Sequence, residues 1–331
     1  MRGRHIILAD ILALSLLLCG CGRQEQEIRD AEQGGTEGGT AVQAEVESIQ
    51  DENVESIAEE PERIENEQEE SEPGGEALQE IKEEVVQTQE PEQAADASIS
   101  ILGDSISTFQ GCNPEGYYVF FPEYGEVKEL QDTWWQIVVQ DLELTLYANG
   151  SSSGATVAGD STGTEDPQCA CNELRTSALA GPGGACPDRI IVYLGTNDLL
   201  QGVPLGDNDG MGAVTAGEIT TFSDAYTLML DKLQANYPSA RIYCCTPLQV
   251  GDYGTQTPYV EFVNGEQLTA VDYGKVIVQI AGNRGLSVID LYDCGVTIEN
   301  LQEMSSDGVH PTAAGMRKIA AAIEAALAGE N

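Results

Sequence analysis

The sequence predicts an α/β domain from Ser98 to the C-terminus, built on a parallel sheet that helices cover on both faces. Two observations support this prediction. The composition changes at Ser98, because all the aromatic residues of the chain lie beyond it. From there, short apolar runs alternate with stretches of helical periodicity. Strands that are regularly separated by helices form parallel sheets, and about 230 residues are enough for one such domain.

Each element follows from its local pattern. Five apolar runs of strand length are predicted as strands, and they are Ile99–Leu102, Leu142–Tyr147, Ile190–Leu194, Ile242–Thr246 and Val288–Leu291. Amphipathic spacing predicts the helices, which are centred on Trp134–Gln140, Cys171–Leu179, Phe222–Tyr237, Leu268–Asn283 and Ala313–Leu327. Trp134 and Trp135 open the first helix, and we expect them to pack on the sheet. Stacking on a sugar is the alternative.

The first twenty residues have the pattern of a targeting segment. Two arginines precede the apolar run Ile11–Leu18, which is too short to span a bilayer. The segment Leu18–Cys21 is similar to a bacterial lipoprotein signal, in which cleavage leaves the lipid-bearing cysteine at the N-terminus. We therefore expect residues 1–20 to be a signal peptide and Cys21 to carry lipid. The alternative is an uncleaved membrane anchor.

Residues 21–97 form an acidic segment with an excess of glutamate and glutamine, three prolines and no aromatic residue. Such a composition cannot bury enough apolar surface to offset the entropy of ordering the chain. Like charges also repel one another and extend a linker. We predict a disordered, lipid-anchored stalk that holds the domain, residues 98–331, away from the membrane.

The charge of the chain excludes several kinds of partner. There are 15 basic and 56 acidic side chains, which give a formal net charge of −41. Binding to nucleic acid needs clustered lysine and arginine, so no nucleic-acid partner is expected. Direct contact with anionic lipid is disfavoured for the same reason, and the lipid anchor is the only expected membrane contact. The expected location is the extracytoplasmic face of the cell membrane.

Polar motifs stand where a parallel sheet would place a ligand site. In such sheets, ligands bind beyond the carboxyl ends of the strands. Gly-Asp-Ser at 103–105 follows the first predicted strand, Gly-Thr-Asn-Asp at 195–198 follows the third, and Asp-Gly-Val-His at 307–310 precedes the last helix. Each motif alone is an ordinary turn or loop. Their occurrence together in this order indicates a catalytic site.

The histidines narrow the chemistry of this site. The chain has only two, and His5 lies in the segment that we expect to be removed. His310 follows Asp307 by three residues, so a carboxylate and an imidazole share one short loop. The carboxylate can orient the ring and stabilise its protonated form. The other ring nitrogen is then available as the base that Ser105 needs to become a nucleophile.

These three motifs resemble those of the SGNH hydrolases, also called GDSL-type esterases, and the resemblance extends over Ser98–Leu327. It implies a flavodoxin-like three-layer α/β/α sandwich with about five parallel strands. It also implies a catalytic triad of Ser105, His310 and Asp307. The backbone N–H of Ser105 and the side chain of Asn197 would donate hydrogen bonds to the oxyanion.

The resemblance implies a further oxyanion donor, a glycine N–H after the second strand. Residues 149–156 match the spacing Asn-x-x-x-Ser-Gly-x-Thr, which places Gly154 at the donor position. A glycine suits this role because no Cβ keeps its amide from the substrate. Ser151 is the alternative donor.

We therefore predict a serine esterase, a hydrolase of carboxylic ester bonds that works through an acyl-enzyme. The expected substrate is a short acyl ester, such as acetyl, on a small molecule or a glycan. The alternatives are a lysophospholipase or thioesterase with the same triad, and a non-catalytic glycan-binding lipoprotein. No cysteine set has zinc-site spacing, so no metal or cofactor is expected. Cys169 or Cys171 could form a disulfide with Cys186 outside the cytoplasm.

Overall fold

The computed structural model describes residues 97–252 and 258–329. The predicted signal peptide, the lipid attachment at Cys21 and the stalk up to residue 96 lie outside these residues. Within the part that is described, no helix has the length and apolar character needed to cross a membrane.

The strands form two sheets. They are β1 (Ser98–Gly103), β2 (Thr145–Asn149), β3 (Gly159–Asp160), β4 (Arg189–Tyr193), β5 (Glu218–Ile219), β6 (Arg241–Cys245) and β7 (Ser287–Ile289). The central sheet is parallel with the order β2-β1-β4-β6-β7, and β3 pairs with β5 in a separate antiparallel ribbon. The central strands thus follow the flavodoxin-like order 2-1-3-4-5. This confirms the predicted fold class.

Helices cover both faces of the central sheet. They are α1 (Trp134–Asp141), α2 (Glu173–Ser177), α3 (Thr196–Gln201), α4 (Phe222–Asn236), α5 (Ala270–Asn283), α6 (Leu301–Met304) and α7 (Ala313–Ala328). Threonine begins three of the longer helices, because the side chains of Thr133, Thr221 and Thr312 accept hydrogen bonds from N–H groups of the first turn.

Successive residues of each strand face different layers. In β4, Ile190 and Val192 pack into the core that holds α4 and α5, while Ile191 and Tyr193 pack into the core that holds α1 and α7. All four side chains are buried. A strand that is buried on both faces needs a continuous apolar run, which is why these segments could be predicted from sequence.

The second strand differs from its prediction. It begins at Thr145, because the Leu142 N–H donates to the Val138 carbonyl at 3.1 Å and closes the last turn of α1. Glu143 then adopts a φ of 50° and reverses the chain, and the Leu144 N–H bonds back to Val139 at 2.9 Å. The apolar residues at 142 and 144 therefore pack in the helix-to-strand turn, not in the sheet.

The tryptophan pair lies in the core, as predicted. Trp134 and Trp135 begin α1 and are 0% and 1% exposed. The Trp134 indole N–H donates to the Ser107 hydroxyl at 3.2 Å, which connects α1 to the turn after β1. The alternative role in sugar stacking is therefore wrong for both residues.

Candidate active site

Ser105 lies in a tight turn directly after β1. Asp104 caps a single 3₁₀ turn over residues 105–107, where its side chain accepts the Ile106 N–H at 3.0 Å. Ser105 is 5% exposed. Strand β1 lies between β2 and β4 in the sheet, so the loops that follow those two strands flank Ser105 at the same sheet edge.

Ser105, His310 and Asp307 form a continuous chain of hydrogen bonds. His310 Nε2 lies 2.9 Å from Ser105 Oγ, although 205 positions separate the two residues in the sequence. His310 Nδ1 lies 2.7 Å from Asp307 Oδ2. When Nδ1 carries the proton and donates to Asp307, Nε2 is left to accept the proton of the serine hydroxyl. The structure therefore brings together the three residues of the predicted triad.

The loop that carries Asp307 and His310 is shaped by its own hydrogen bonds. Asp307 Oδ1 accepts the N–H groups of Val309 and His310 at 2.9 and 2.8 Å. Gly308 has a φ of 96°, and a Cβ there would lie 3.1 Å from the Tyr259 ring. Only glycine fits this bend without strain. The carboxylate is thus fixed before it contacts the imidazole ring.

Two aromatic rings hold the imidazole from the side. The Phe120 ring stacks on His310 with centroids 3.6 Å apart and planes 10° apart, and the Phe121 ring lies edge-on at 6.3 Å. His310 is 7% exposed as a result of this packing. These contacts restrict the ring to the plane in which both of its nitrogens meet their partners. The sequence analysis did not identify either phenylalanine.

Two buried carboxyl groups next to the serine and the histidine have pKa shifts of opposite sign. Burial raises the pKa of Asp307, but the charge of His310 and the hydrogen bonds from His310 and Val309 outweigh it, so the net shift is downward. Asp307 therefore stays ionised and can stabilise an imidazolium. Burial dominates at Asp104, where it raises the pKa to about 6 against the Ile106 hydrogen bond.

Asn197 presents a free amide at the same sheet edge. It lies in the first turn of α3, directly after β4 and the left-handed Gly195, whose φ is 113°. Its Nδ2 atom is buried and has no hydrogen-bond partner within the part of the chain that is described. A buried donor without a partner is costly, and a ligand oxygen would satisfy it.

Gly154 lies in the loop after β2, and this loop is bonded to β1. The Gly150 N–H donates to the Ile101 carbonyl at 2.8 Å, and the Ser152 N–H donates to the Gly103 carbonyl at 3.2 Å. Gly154 itself has a φ of 81°. The Ser151 N–H already donates to the Asn149 side chain at 3.2 Å. That bond makes Ser151 the weaker candidate for the oxyanion donor.

Asp198 joins the two oxyanion elements, a role that the sequence analysis missed. Its carboxyl group accepts the N–H of Val157 at 3.0 and 2.9 Å and that of Ala158 at 3.3 Å. Gln201 of the same helix donates to the Gly154 carbonyl at 3.3 Å. Helix α3 thus fixes the loop of Gly154 as well as Asn197. The one sequence signal was the aspartate beside Asn197.

The cysteines differ from the expected pairing. Cys112, Cys169, Cys171, Cys186, Cys244, Cys245 and Cys294 are all free. Cys169 Sγ lies 3.4 Å from Cys171 Sγ, whereas Cys186 Sγ accepts the Ser239 hydroxyl at 3.1 Å. A bridge from either of the first two to Cys186 is therefore not formed. Among residues 97–252 and 258–329, no cluster of histidine, cysteine or acidic side chains is arranged to hold a metal ion.

Comparison with known proteins places this geometry in a class. Residues 97–259, just under half of the chain, match the family GDSL-like Lipase/Acylhydrolase. The matching segment contains Ser105, Gly154 and Asn197 and ends before Asp307 and His310, which the fold brings to the same site. No curated protein matches the sequence.

Solved structures give the same class. A protein from Bacteroides ovatus described as a GDSL-like lipase is 25% identical, with a TM-score of 0.53 over 71% of this chain and 99% of its own. A second such protein, from Bacteroides uniformis, is also 25% identical, with a TM-score of 0.52 over 71% of this chain and 96% of its own. The folded domain is an ester-bond hydrolase. Over residues 97–259 it is similar to the GDSL-like lipases and acylhydrolases.

Proposed function

We propose that the protein is a serine esterase that removes short acyl groups, acetyl above all, from carbohydrate. The observation that carries the catalytic part is the chain of two hydrogen bonds, 2.7 Å from Asp307 to His310 and 2.9 Å from His310 to Ser105. A serine hydroxyl is a poor nucleophile unless such a base removes its proton.

The proposed reaction proceeds through an acyl-enzyme. Ser105 Oγ attacks the ester carbonyl carbon while His310 Nε2 takes its proton, and the tetrahedral oxyanion forms. The backbone N–H groups of Ser105 and Gly154 and the Nδ2 of Asn197 donate to that oxyanion. His310 then protonates the departing alcohol oxygen as its bond to the acyl carbon breaks. Water, deprotonated by His310, attacks the acyl-enzyme and releases the acid, with Asp307 stabilising each imidazolium.

An exposed aromatic residue supports a sugar as the alcohol part of the ester. Tyr118 is 46% exposed, and its backbone bonds to the oxyanion loop, with its N–H on Ser152 Oγ at 3.2 Å and its carbonyl on the Ser153 N–H at 2.8 Å. Two residues later, Phe120 stacks on His310. The segment 118–120 therefore runs from one side of the triad to the other, and the Tyr118 ring offers an apolar face to a bound ligand.

The proposed location rests on the sequence alone. Cleavage after residue 20 would leave Cys21 to carry lipid, and the acidic residues 21–97 would extend the domain from the outer face of the membrane. A Cys21→Ser variant should fail to incorporate labelled lipid. Incorporation at the level of the unaltered protein would contradict the anchor.

The purified domain should be tested on esters that differ in acyl length and in alcohol. We expect turnover of p-nitrophenyl acetate to exceed that of the octanoate, and release of acetate from acetylated xylo-oligosaccharides. Faster turnover of lysophosphatidylcholine or of acyl-thioesters would replace the carbohydrate proposal by a lysophospholipase or a thioesterase. Binding of oligosaccharide without any turnover would indicate the non-catalytic alternative.

Ser105→Ala is the control for all of these assays. Loss of the nucleophile should lower kcat by about 10⁴-fold or more, because only substrate binding and oxyanion stabilisation remain. The removed hydroxyl bonds to His310 and not to the core, so the melting temperature should stay close to that of the wild type. A folded Ser105→Ala protein with more than half of the wild-type kcat would overturn the proposed function.

A further inference from the structure

Arg175 is a buried cation behind the loops that carry the nucleophile and the oxyanion donors. It lies in α2 and is 0% exposed. Its guanidinium donates from Nη2 to the Gly103 carbonyl at 2.8 Å and from Nε to the Gly150 carbonyl at 2.9 Å, and Nη1 donates to the Pro167 carbonyl. All three acceptors are main-chain carbonyls from separate segments.

The guanidinium stays charged despite its burial. Burial lowers the pKa of Arg175 to about 10, which is still well above neutral pH. The Tyr117 ring lies over it, with the ring centroid 5.6 Å from Cζ. Placing a full charge on carbonyl oxygens in the interior is expensive unless every donor is used in good geometry. So costly an arrangement points to a role at these carbonyls.

The two carbonyls mark the point where β1 and β2 separate. The pairing of these strands ends at Ile101 with Asn149, and each chain then turns away toward its catalytic residue. Gly103 is followed directly by Asp104 and the nucleophile, and Gly150 begins the loop that ends at Gly154. The gap is tight, because a Cβ on Gly103 would lie 2.9 Å from Ser151 Oγ.

We infer that Arg175 is a positioning residue that sets the distance between the Ser105 nucleophile and the Gly154 oxyanion donor. The donors of a guanidinium are held in one plane at fixed separations, so two carbonyls bonded to them are held at a fixed separation too. The peptide units after Gly103 and Gly150 are thereby placed beyond the end of the strand pairing. This inference rests on the proposed function, since it assumes that both groups act on one carbonyl.

The test compares two Arg175 variants with a matched control. Arg175→Lys keeps the charge but loses the planar fork, and Arg175→Met loses both. The control is Lys232→Met, because Lys232 is also a buried cation on main-chain carbonyls of this region, with Nζ 3.0 Å from the Cys171 oxygen, yet it does not contact β1 or β2. Active sites are counted by phosphonylation of the serine, and kcat and KM are measured on p-nitrophenyl acetate well below each melting temperature.

A positioning role predicts a loss in kcat and not in KM. Both Arg175 variants should lose about 10- to 100-fold in kcat per active site, since a displacement near 1 Å has effects of this size. KM should stay within about threefold of the wild type, and Lys232→Met should keep its kcat while melting at a lower temperature.

Three outcomes would overturn the inference. One is wild-type kcat per active site in Arg175→Lys, and another is an equal loss of kcat in Lys232→Met. The third is failure of both Arg175 variants to fold, which would assign the residue to stability alone. Turnover by Ser105→Ala would instead remove the proposed function, so the two failures are distinguishable.

Discussion

The two sides of the active site are built in different ways. The loop of residues 305–310, which carries the base, is held by bonds among its own residues, such as those from the Val309 and His310 N–H groups to Asp307. The loop of Gly154 is held by residues far away in the chain, including Asp198 and Arg175. One side is therefore encoded locally, whereas the other depends on the tertiary fold.

This difference predicts how each side responds to substitution. A change in the base loop removes a specific proton-transfer geometry, and few other contacts depend on it. A change on the oxyanion side acts through several segments at once, so its effects on activity and stability are coupled. Four substitutions, from the largest expected effect to the smallest, test whether the two sides separate in this way.

Asp307→Asn should have the largest effect, because it alters the local side alone. Its amide oxygen can keep the two backbone N–H bonds, but an amide N–H facing His310 Nδ1 forces the proton onto Nε2. The ring then cannot accept the proton of Ser105, and kcat should fall by about 10⁴-fold. Stopped assays and circular dichroism on the same preparation measure this. An exposed acid, Asp293, gives the control variant Asp293→Asn. Loss of the fold in Asp307→Asn would contradict the local independence of this loop.

Asn197→Ala removes an oxyanion donor that has no partner within the described residues. The donor acts mainly in the transition state, so kcat should fall by about 10²- to 10³-fold with little change in KM. Few other contacts are lost, and the melting temperature should barely change. If Asn197 caps the loop, kcat at low temperature would be preserved while the stability drops by about 1 kcal/mol.

The same division explains what could be predicted from the sequence. Asp307 and His310 were identifiable because three residues separate them, and the apolar runs of the buried strands were identifiable by composition. The role of Arg175 was not, since its acceptor Gly103 lies 72 positions away. The start of β2 was misplaced because Leu142 and Leu144 are apolar for a turn that the fold buries. Contacts made by chain topology leave no local pattern.

Gly154→Ala tests the oxyanion side through its backbone. Gly154 has a φ of 81°, and a Cβ there would lie 3.2 Å from the Gln168 side chain. We expect about 1 kcal/mol of destabilisation from the left-handed conformation and roughly a tenfold loss of kcat from the displaced N–H. Gly183 is the matched control, with a φ of 68° and open space around it.

Gly183→Ala should carry the same strain without the loss of kcat. Urea unfolding and steady-state kinetics on both variants separate strain from catalysis. Equal kcat for the two variants would remove Gly154 from the oxyanion site and return Ser151 as the candidate.

Asp198→Asn should have the smallest effect on activity, because the amide oxygen can still accept the Val157 and Ala158 N–H groups; kcat should stay within about threefold. Its effect lies in the pH dependence of stability. Burial raises the pKa of Asp198 from 3.8 to about 7, so between these values the folded domain binds a proton that the unfolded chain does not. The wild-type free energy of unfolding therefore falls as the pH rises through that window, by up to about 1.4 kcal/mol per pH unit from this group. The asparagine variant lacks this contribution, so it should gain stability relative to the wild type from about pH 4 to 7 and no further above it. Urea unfolding across this range measures the difference, with the exposed Asp207→Asn as control. Parallel curves for the wild type and Asp198→Asn would show that the link between the oxyanion elements carries no buried titrating charge.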